Sequence, residues 1–176
     1  MISTKDYDFL DHMIKHHNVA VLMSRDLMNV TNDPVMLELC RKIILDQDKE
    51  IFQMTTMLYG ITDSMYNVDS VYRDHYKSKL DFYNIDGYKV NNVKHDSHFF
   101  NYVSGDMNLD RESYLRHMIP HHQIAVDMSK SLLLTTKNSH MITLCRNIIQ
   151  NQQNEILYMN QLLNNKYHHS SILLNS

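Results

Sequence analysis

A stretch of 52 residues occurs twice in this chain. Residues 7–58 align with residues 112–163 without a gap, at a constant offset of 105 residues, and about 23 of the 52 aligned positions are identical. A unit present in only two copies is too short an array for a solenoid, which needs three or more repeats. The duplication therefore favours a closed structure in which two matching units bury their apolar faces against each other.

Each copy has the sequence pattern of a helical hairpin. In the first copy, apolar and soft side chains recur every three or four residues, which is the period of one face of an α-helix. They are Phe9, Met13, His16, Ala20, Met23 and Leu27, and then Cys40, Ile44, Gln47, Ile51, Met54 and Leu58. Asp33 and Pro34, between the two stripes, are typical of a helix start, because Asp caps the first turn and Pro fits the first helical position. Gly60 follows the second stripe and predicts the helix end there.

Two such hairpins predict an all-α fold, a ferritin-like four-helix bundle with pseudo-two-fold symmetry. We expect one domain, with the first hairpin over residues 3–60 and the second over residues 110–165. Residues 61–109 are the expected linker, which has room for a short helix over 68–83, and residues 166–176 are the expected tail. Because the chain has only 3 Gly and 2 Pro, folds that need many tight turns are disfavoured.

Charge and hydropathy exclude several classes of partner. The formal net charge of -3 argues against a nucleic-acid partner held by electrostatic attraction. No apolar run approaches the roughly 20 residues that span a membrane. The first residues lack the basic and apolar regions of a secretory signal peptide, so an intracellular location is the default expectation. A homo-oligomer or a protein partner stays open.

His and Met are the unusual residues of this composition, with 12 and 13 copies. In both repeats they form a motif, His-Met-x-x-His-His followed by Met, and the partner helix adds a Glu and a Met one turn apart. Histidines at neighbouring helical turns can hold one ion, and thioether sulfur beside imidazole suits copper, Cu(I) more than Cu(II). The candidate metal ligands are Met13, His16, His17, Met23, Glu50 and Met54, their equivalents Met118, His121, His122, Met128, Glu155 and Met159, and, as further candidates, His12 and His117.

Other interpretations of these residues stay open at this point. Met at helical spacing is more often a core residue than a ligand, and a buried His is more often a hydrogen-bonded structural residue. Under that interpretation the protein is a structural or interaction module with no bound metal. A di-iron oxidoreductase is disfavoured, because the first helix of each repeat offers His and Met where such a site needs Glu, and no catalytic constellation stands out. Cys40 and Cys145 are expected as small core residues, with a disulfide or a soft-metal role across the symmetry axis as an alternative.

The combined motif also resembles a known family. The pattern Met-Ile-x-His-His-x-x-Ala-x-x-Met, followed by Ile-Ile-x-x-Gln-x-x-Glu-Ile-x-x-Met, starts at Met13 and Ile43 and again at Met118 and Ile148. It resembles the ferritin-like family of domains of unknown function numbered 305, which includes CopM-like copper-binding proteins, over about 104 of the 176 residues. The resemblance implies a four-helix bundle and, in some members, binding of copper or silver by His and Met. It therefore favours a protein of metal storage, buffering or detoxification.

Overall fold

The computed structural model describes residues 3–65, 102–105 and 107–173, and this part of the chain is helical with no strand. Four helices follow one another in these ranges: α1 (Thr4–Val30), α2 (Pro34–Met65), α3 (Arg111–Leu133) and α4 (Ser139–Leu173). Helices α1 and α2 pack closely as one hairpin and α3 and α4 as the other, while the hairpins meet chiefly through α1 and α3. The predicted all-α bundle of two helical hairpins is confirmed.

Two apolar clusters fill the opposite ends of this bundle. The first cluster contains Phe9, Leu10, Met13, Met54, Ile124, Ala125, Met128, Leu132, Met141, Leu144, Cys145 and Ile148. The second cluster contains Val19, Ala20, Met23, Leu27, Met36, Leu39, Cys40, Ile43, Tyr102, Tyr114, Leu115, Met118, Met159 and Leu162. Each cluster combines the beginning of some helices with the end of others, so α1 and α3 run antiparallel across the centre of the bundle.

Local sequence explains where the helices begin. Ser3 and Asp110 form capping boxes, in which the side chain of the cap and that of the third helical residue bond each other's backbone N–H. The carboxylate of Asp33 accepts hydrogen bonds from the backbone N–H groups of Val35 and Met36 at the start of α2. Asn138 occupies the equivalent place before α4, where its side-chain oxygen accepts from His140 and Met141. Both repeats therefore cap their second helix with the same geometry but with different residues.

The second helix of each hairpin runs further than the sequence predicted. Helix α2 continues through Gly60 to Met65, so the helix end predicted at Gly60 is wrong. One glycine costs a helix only about 1 kcal/mol relative to alanine, which is too little to end it without a stop signal from its neighbours. Helix α4 includes residues 166–173, which were expected in the tail. The short helix predicted over 68–83 lies outside the described residues.

The two cysteines do not pair with each other. Both are free, buried thiols, and they lie in different apolar clusters, Cys145 in the first and Cys40 in the second. Burial raises the pKa of Cys40 to about 11 and that of Cys145 to about 12, so both stay protonated at neutral pH. The alternative of a disulfide across the symmetry axis is therefore wrong, and the expectation of small core residues fits.

Among the helices described, none has a stretch long and apolar enough to cross a membrane.

The two caps provide a matched test of what starts α2. We expect Asp33→Ala to lower the free energy of unfolding by about 1–2 kcal/mol, because two backbone N–H groups lose their acceptor. Asp33→Asn copies Asn138 of the second repeat, keeps an acceptor for those groups and loses only the ion pair with Arg111, a partly exposed contact worth roughly 0–1 kcal/mol. Urea unfolding followed by circular dichroism measures both variants. Equal losses in the two variants would show that the ion pair, and not the cap, stabilises this corner.

Candidate metal centre

A layer of buried polar side chains crosses the bundle between the two apolar clusters. On every helix its members lie between residues of the first cluster and residues of the second. Each helix contributes two residues, and all eight are less than a tenth exposed. They are His16 and His17 on α1, Gln47 and Glu50 on α2, His121 and His122 on α3, and Gln152 and Glu155 on α4. We refer to these eight residues as the polar layer.

Two histidine–carboxylate pairs hold the polar layer together. Nε2 of His17 lies 2.7 Å from Oε2 of Glu50, and Nε2 of His122 lies 2.8 Å from Oε2 of Glu155. Each pair links the two helices of one hairpin. Each residue of the second pair lies 105 positions after its equivalent in the first pair. A carboxylate only accepts here, so each ring donates its Nε2–H. Burial of the carboxylates is compensated by these bonds, since a buried charge without a partner is costly.

In the described ranges, the other nitrogen of each paired ring has no hydrogen-bond partner. Within the part of the chain that the structure describes, Nδ1 of His17, Nδ1 of His122 and Oε1 of Gln47 are buried and receive no hydrogen bond. In a neutral ring that donates through Nε2, the lone pair lies on Nδ1. All three atoms are therefore acceptors without a donor, each costing about 1–3 kcal/mol of lost solvation. A cation would satisfy lone pairs of this kind, so the residues present fit a metal ion.

A stacked pair of imidazoles joins the two hairpins at the centre. The rings of His16 and His121 lie face to face, with centroids 3.5 Å apart and planes inclined by 15°. Burial, followed by repulsion from His17 and His122, holds the pKa of His16 well below the ordinary histidine value. Burial, followed by repulsion from His16 and His122, does the same to the pKa of His121. Both rings are therefore neutral at pH 7, and each carries one unprotonated nitrogen that is chemically able to bind a metal.

His12 and His117 stand one helical turn from the stacked pair, close to the protein surface. Each is 8% exposed, whereas His16 and His121 are 0% exposed. Nδ1 of His12 lies 2.7 Å from the backbone oxygen of Asp8 and donates to it, which leaves the lone pair of the neutral ring on Nε2. The ring centroid of His117 lies 6.3 Å from that of His121. These two histidines thus connect the inner rings with the rim of the bundle.

The sequence analysis grouped the candidate methionines by repeat, but in the structure each group is divided between the two apolar clusters. Met13 and Met54 of the first repeat lie in the first cluster, but Met23 lies in the second. In the second repeat, Met118 and Met159 lie in the second cluster and Met128 in the first. The antiparallel packing of α1 against α3 causes this exchange, because the end of one helix lies beside the beginning of the other.

Sequence reasoning did not propose two further methionines or the two amides as site residues, and it considered the two cysteines for a soft-metal role only as an alternative. Met36 and Cys40 lie in the second cluster, and Met141 and Cys145 in the first, so each cluster holds four buried methionines and one cysteine. Gln47 was placed on the apolar stripe, and neither it nor Gln152, its equivalent in the second repeat, was proposed as a site residue. The signal that identifies all six is their identity between the repeats at an offset of 105 residues.

No ready-made site of the zinc type is present in the described ranges. Among those residues, no three His, Cys, Asp or Glu side chains are arranged to hold a metal ion. An ion in the polar layer would therefore be held by fewer of these groups or would take thioether sulfur as well. A low coordination number with nitrogen and sulfur ligands is the preference of soft ions such as Cu(I), and not of Mg²⁺ or Ca²⁺.

Comparison with known sequences identifies one family and one curated relative. The model of the family described as "Domain of unknown function (DUF305)" matches residues 2–58 and 108–172. "Uncharacterized protein L153" of Acanthamoeba polyphaga mimivirus is 43% identical over 58 residues, which are 33% of this chain and 38% of that protein. The matched segment thus spans well under half of the length of that relative.

Solved structures share the fold over nearly the whole chain. "CopM in the Ag-bound form (by soaking)" is 25% identical, with a TM-score of 0.65 over 94% of this chain and 99% of that one. "CopM in the Cu(II)-bound form" is 26% identical, with a TM-score of 0.63 over 91% and 97% of the two chains. The "DUF305 fragment from Deinococcus radiodurans", 20% identical, has a TM-score of 0.61 over 93% and 97%, a likeness of fold alone.

The lowered pKa values of His16 and His121 predict acid sensitivity above the range in which carboxylates titrate. Below about pH 6.5 the two rings gain protons in the unfolded chain but not in the folded one, so stability falls as pH falls. The loss is at most about 1.4 kcal/mol per pH unit for each ring. Urea unfolding at pH 7.5, 6 and 5 measures it, and His16→Gln with His121→Gln is expected to flatten the profile. A wild-type profile that stays flat between pH 7.5 and 5 would contradict the neutral stacked pair.

Proposed function

The chain belongs to the DUF305 family, and from this premise and the chemistry of the polar layer we propose that it binds a soft metal ion, copper in the Cu(I) state. One observation carries the proposal: the fully buried rings of His17 and His122 each bond a carboxylate through Nε2, and among the described residues their Nδ1 atoms have no hydrogen-bond partner. In a neutral ring that donates through Nε2, Nδ1 carries the lone pair that a metal ion would bind. Histidines that bind metals commonly donate their other N–H to a carboxylate, which fixes the ring and makes it a better ligand.

This proposal assigns different roles to the histidines and the glutamates. His17 and His122 would be ligands through Nδ1, while Glu50 and Glu155 would hold those rings and balance the charge of the ion. The neutral rings of His16 and His121 would supply further nitrogen ligands after the stack rearranges. His12 and His117, near the surface, would receive the ion before it reaches the layer.

The buried methionines extend the ligand supply on both sides of the layer. Met13, Met54 and Met128 are available from the first cluster, and Met23, Met118 and Met159 from the second. Thioether sulfur is a soft donor that favours Cu(I) over harder ions. The relationship to CopM, solved in Ag-bound, Cu(II)-bound and Cu(I)-bound forms, supports the same class of ion. Storage, buffering or detoxification of copper is the role that such a buried, non-catalytic site would serve.

The alternative is a structural module in which the polar layer fixes the pairing of the hairpins and binds no metal. It is favoured by the stacking of His16 on His121 at 3.5 Å, and by the lack of three converging His, Cys, Asp or Glu ligands in the residues described. The two proposals differ in what removal of the histidine lone pairs does. Under the metal proposal binding is lost, and under the structural one only stability changes.

We expect the untagged protein to retain one or two Cu(I) ions per chain under reducing conditions, and to retain Zn(II) and Fe(II) less well. His17→Gln with His122→Gln should weaken copper binding at least tenfold, since two nitrogen ligands are removed, while helical content stays. Exposed His140→Gln is the matched control and should bind as the wild type does. Native mass spectrometry measures stoichiometry, and competition with a Cu(I) chelator measures affinity. Failure of the wild type to retain copper at micromolar concentration would leave the structural module as the function.

A further inference from the structure

The two histidine–carboxylate pairs differ in what holds the second oxygen of each carboxylate. Oε1 of Glu50 accepts a hydrogen bond of 2.9 Å from Nδ2 of Asn151 on α4. Oε1 of Glu155 accepts instead from Nζ of Lys42 on α2, at 3.0 Å. We call His17 with Glu50 the first half-site and His122 with Glu155 the second half-site. A neutral amide therefore anchors the first half-site, and an ammonium group anchors the second.

A compensated pair of substitutions between the repeats explains the difference. At the offset of 105 residues, Asn151 corresponds to Asp46, and Asn147 corresponds to Lys42. The carboxylate of Asp46 has no hydrogen to donate to Glu155, and two carboxylates facing each other would repel. Lys42 lies between them and donates to Oδ2 of Asp46 at 2.6 Å as well as to Glu155. The charges of Lys42 and Asp46 cancel, so the half-sites differ in the position of charge and not in its sum.

The position of the ammonium weakens the second half-site for a cation. The ammonium of Lys42 carries a full positive charge, whereas the amide of Asn151 is neutral, so Lys42 draws more charge away from Glu155 than Asn151 draws from Glu50. Glu155 therefore polarises the Nε2–H of His122 less, and Nδ1 of His122 becomes a weaker donor to a metal than Nδ1 of His17. The positive charge of Lys42 also repels an incoming cation, although its side chain is 53% exposed and partly screened.

We propose that the two half-sites are graded, with the first half-site taking a soft cation before the second, and that Lys42 is the positioning residue that sets this order. The inference rests on the proposed function and adds to it a difference in cation affinity between the two half-sites. A graded pair would let the protein bind at low ion concentration and still take up a second ion when the concentration rises.

Silver(I) tests this order, because it is a soft monovalent ion that does not change oxidation state under these conditions. We would titrate Ag⁺ into the full chain labelled with ¹⁵N and follow the imidazole nitrogens of His17 and His122. The resonances of His17 should move first, and the two stepwise affinities should differ by roughly fivefold beyond the statistical factor, because the donor to Glu155 is charged and the donor to Glu50 is neutral.

Exchange of residues between the repeats supplies matched variants. Lys42→Asn with Asp46→Asn gives the second half-site the neutral environment of the first, and should bring the two affinities together. Asn147→Lys with Asn151→Asp makes the reciprocal change and should weaken the first step by a similar factor. Lys42→Arg keeps the charge and should keep the order. All four positions are at least partly exposed, so circular dichroism should show an unchanged fold.

The outcomes distinguish failure of the grading from failure of the proposed soft-metal binding. If His17 and His122 respond together in the wild type, or share one ion equally, the grading is wrong while soft-metal binding stands. If the order persists in Lys42→Asn with Asp46→Asn, the assignment to Lys42 is wrong. If the wild type binds no Ag⁺ at micromolar concentration, the proposed function itself fails, and the grading fails with it.

Discussion

The hydrogen bonds between His17 and Glu50, and between His122 and Glu155, are the contacts on which the centre of this bundle depends. Eight polar side chains are buried there between two apolar clusters. A buried carboxylate is tolerated only with partners, and removal of one member of such a pair leaves the other uncompensated. Because each pair spans α1 and α2 or α3 and α4, the same bonds fix the register of the helices within each hairpin. The helices cannot slide by a turn without burying a charge alone.

The contact between the hairpins is of another kind. His16 and His121 meet as stacked rings. Burial lowers the pKa of both rings, so they stay neutral and do not repel each other. This arrangement is compact, but it places several imidazole nitrogens within a small volume bounded by methionine sulfur on both sides. The layer therefore places imidazole nitrogen near thioether sulfur, the two donor types on which the proposed binding of a soft ion depends. Under the proposed function, the side chains that complete the packing would also bind copper.

The sequence predicted the hairpins well because their signals are local. Helical spacing, the cap at Asp33 and the repeat offset each involve residues close in sequence or aligned by duplication. The exchange of Met23 and Met128 between the two clusters was not predictable in this way, because it follows from the antiparallel crossing of α1 and α3. The second hydrogen-bond partners of Glu50 and Glu155 were missed for the same reason. Asn151 and Lys42 come from helices far away in sequence, and only packing brings them to the carboxylates. Gly60 misled because a helix end depends on competing structure as well as on the residue itself.

The central claim is that Nδ1 of His17 and Nδ1 of His122 are held ready for a soft cation. The most direct measurement is a crystal structure of the Ag⁺-loaded protein with an anomalous difference map that locates silver. The account predicts a silver peak within the polar layer, at bonding distance from Nδ1 of His17, with Glu50 still bonded to Nε2 of the same ring. Silver found only at surface histidines or methionines, with the polar layer unchanged, would contradict it.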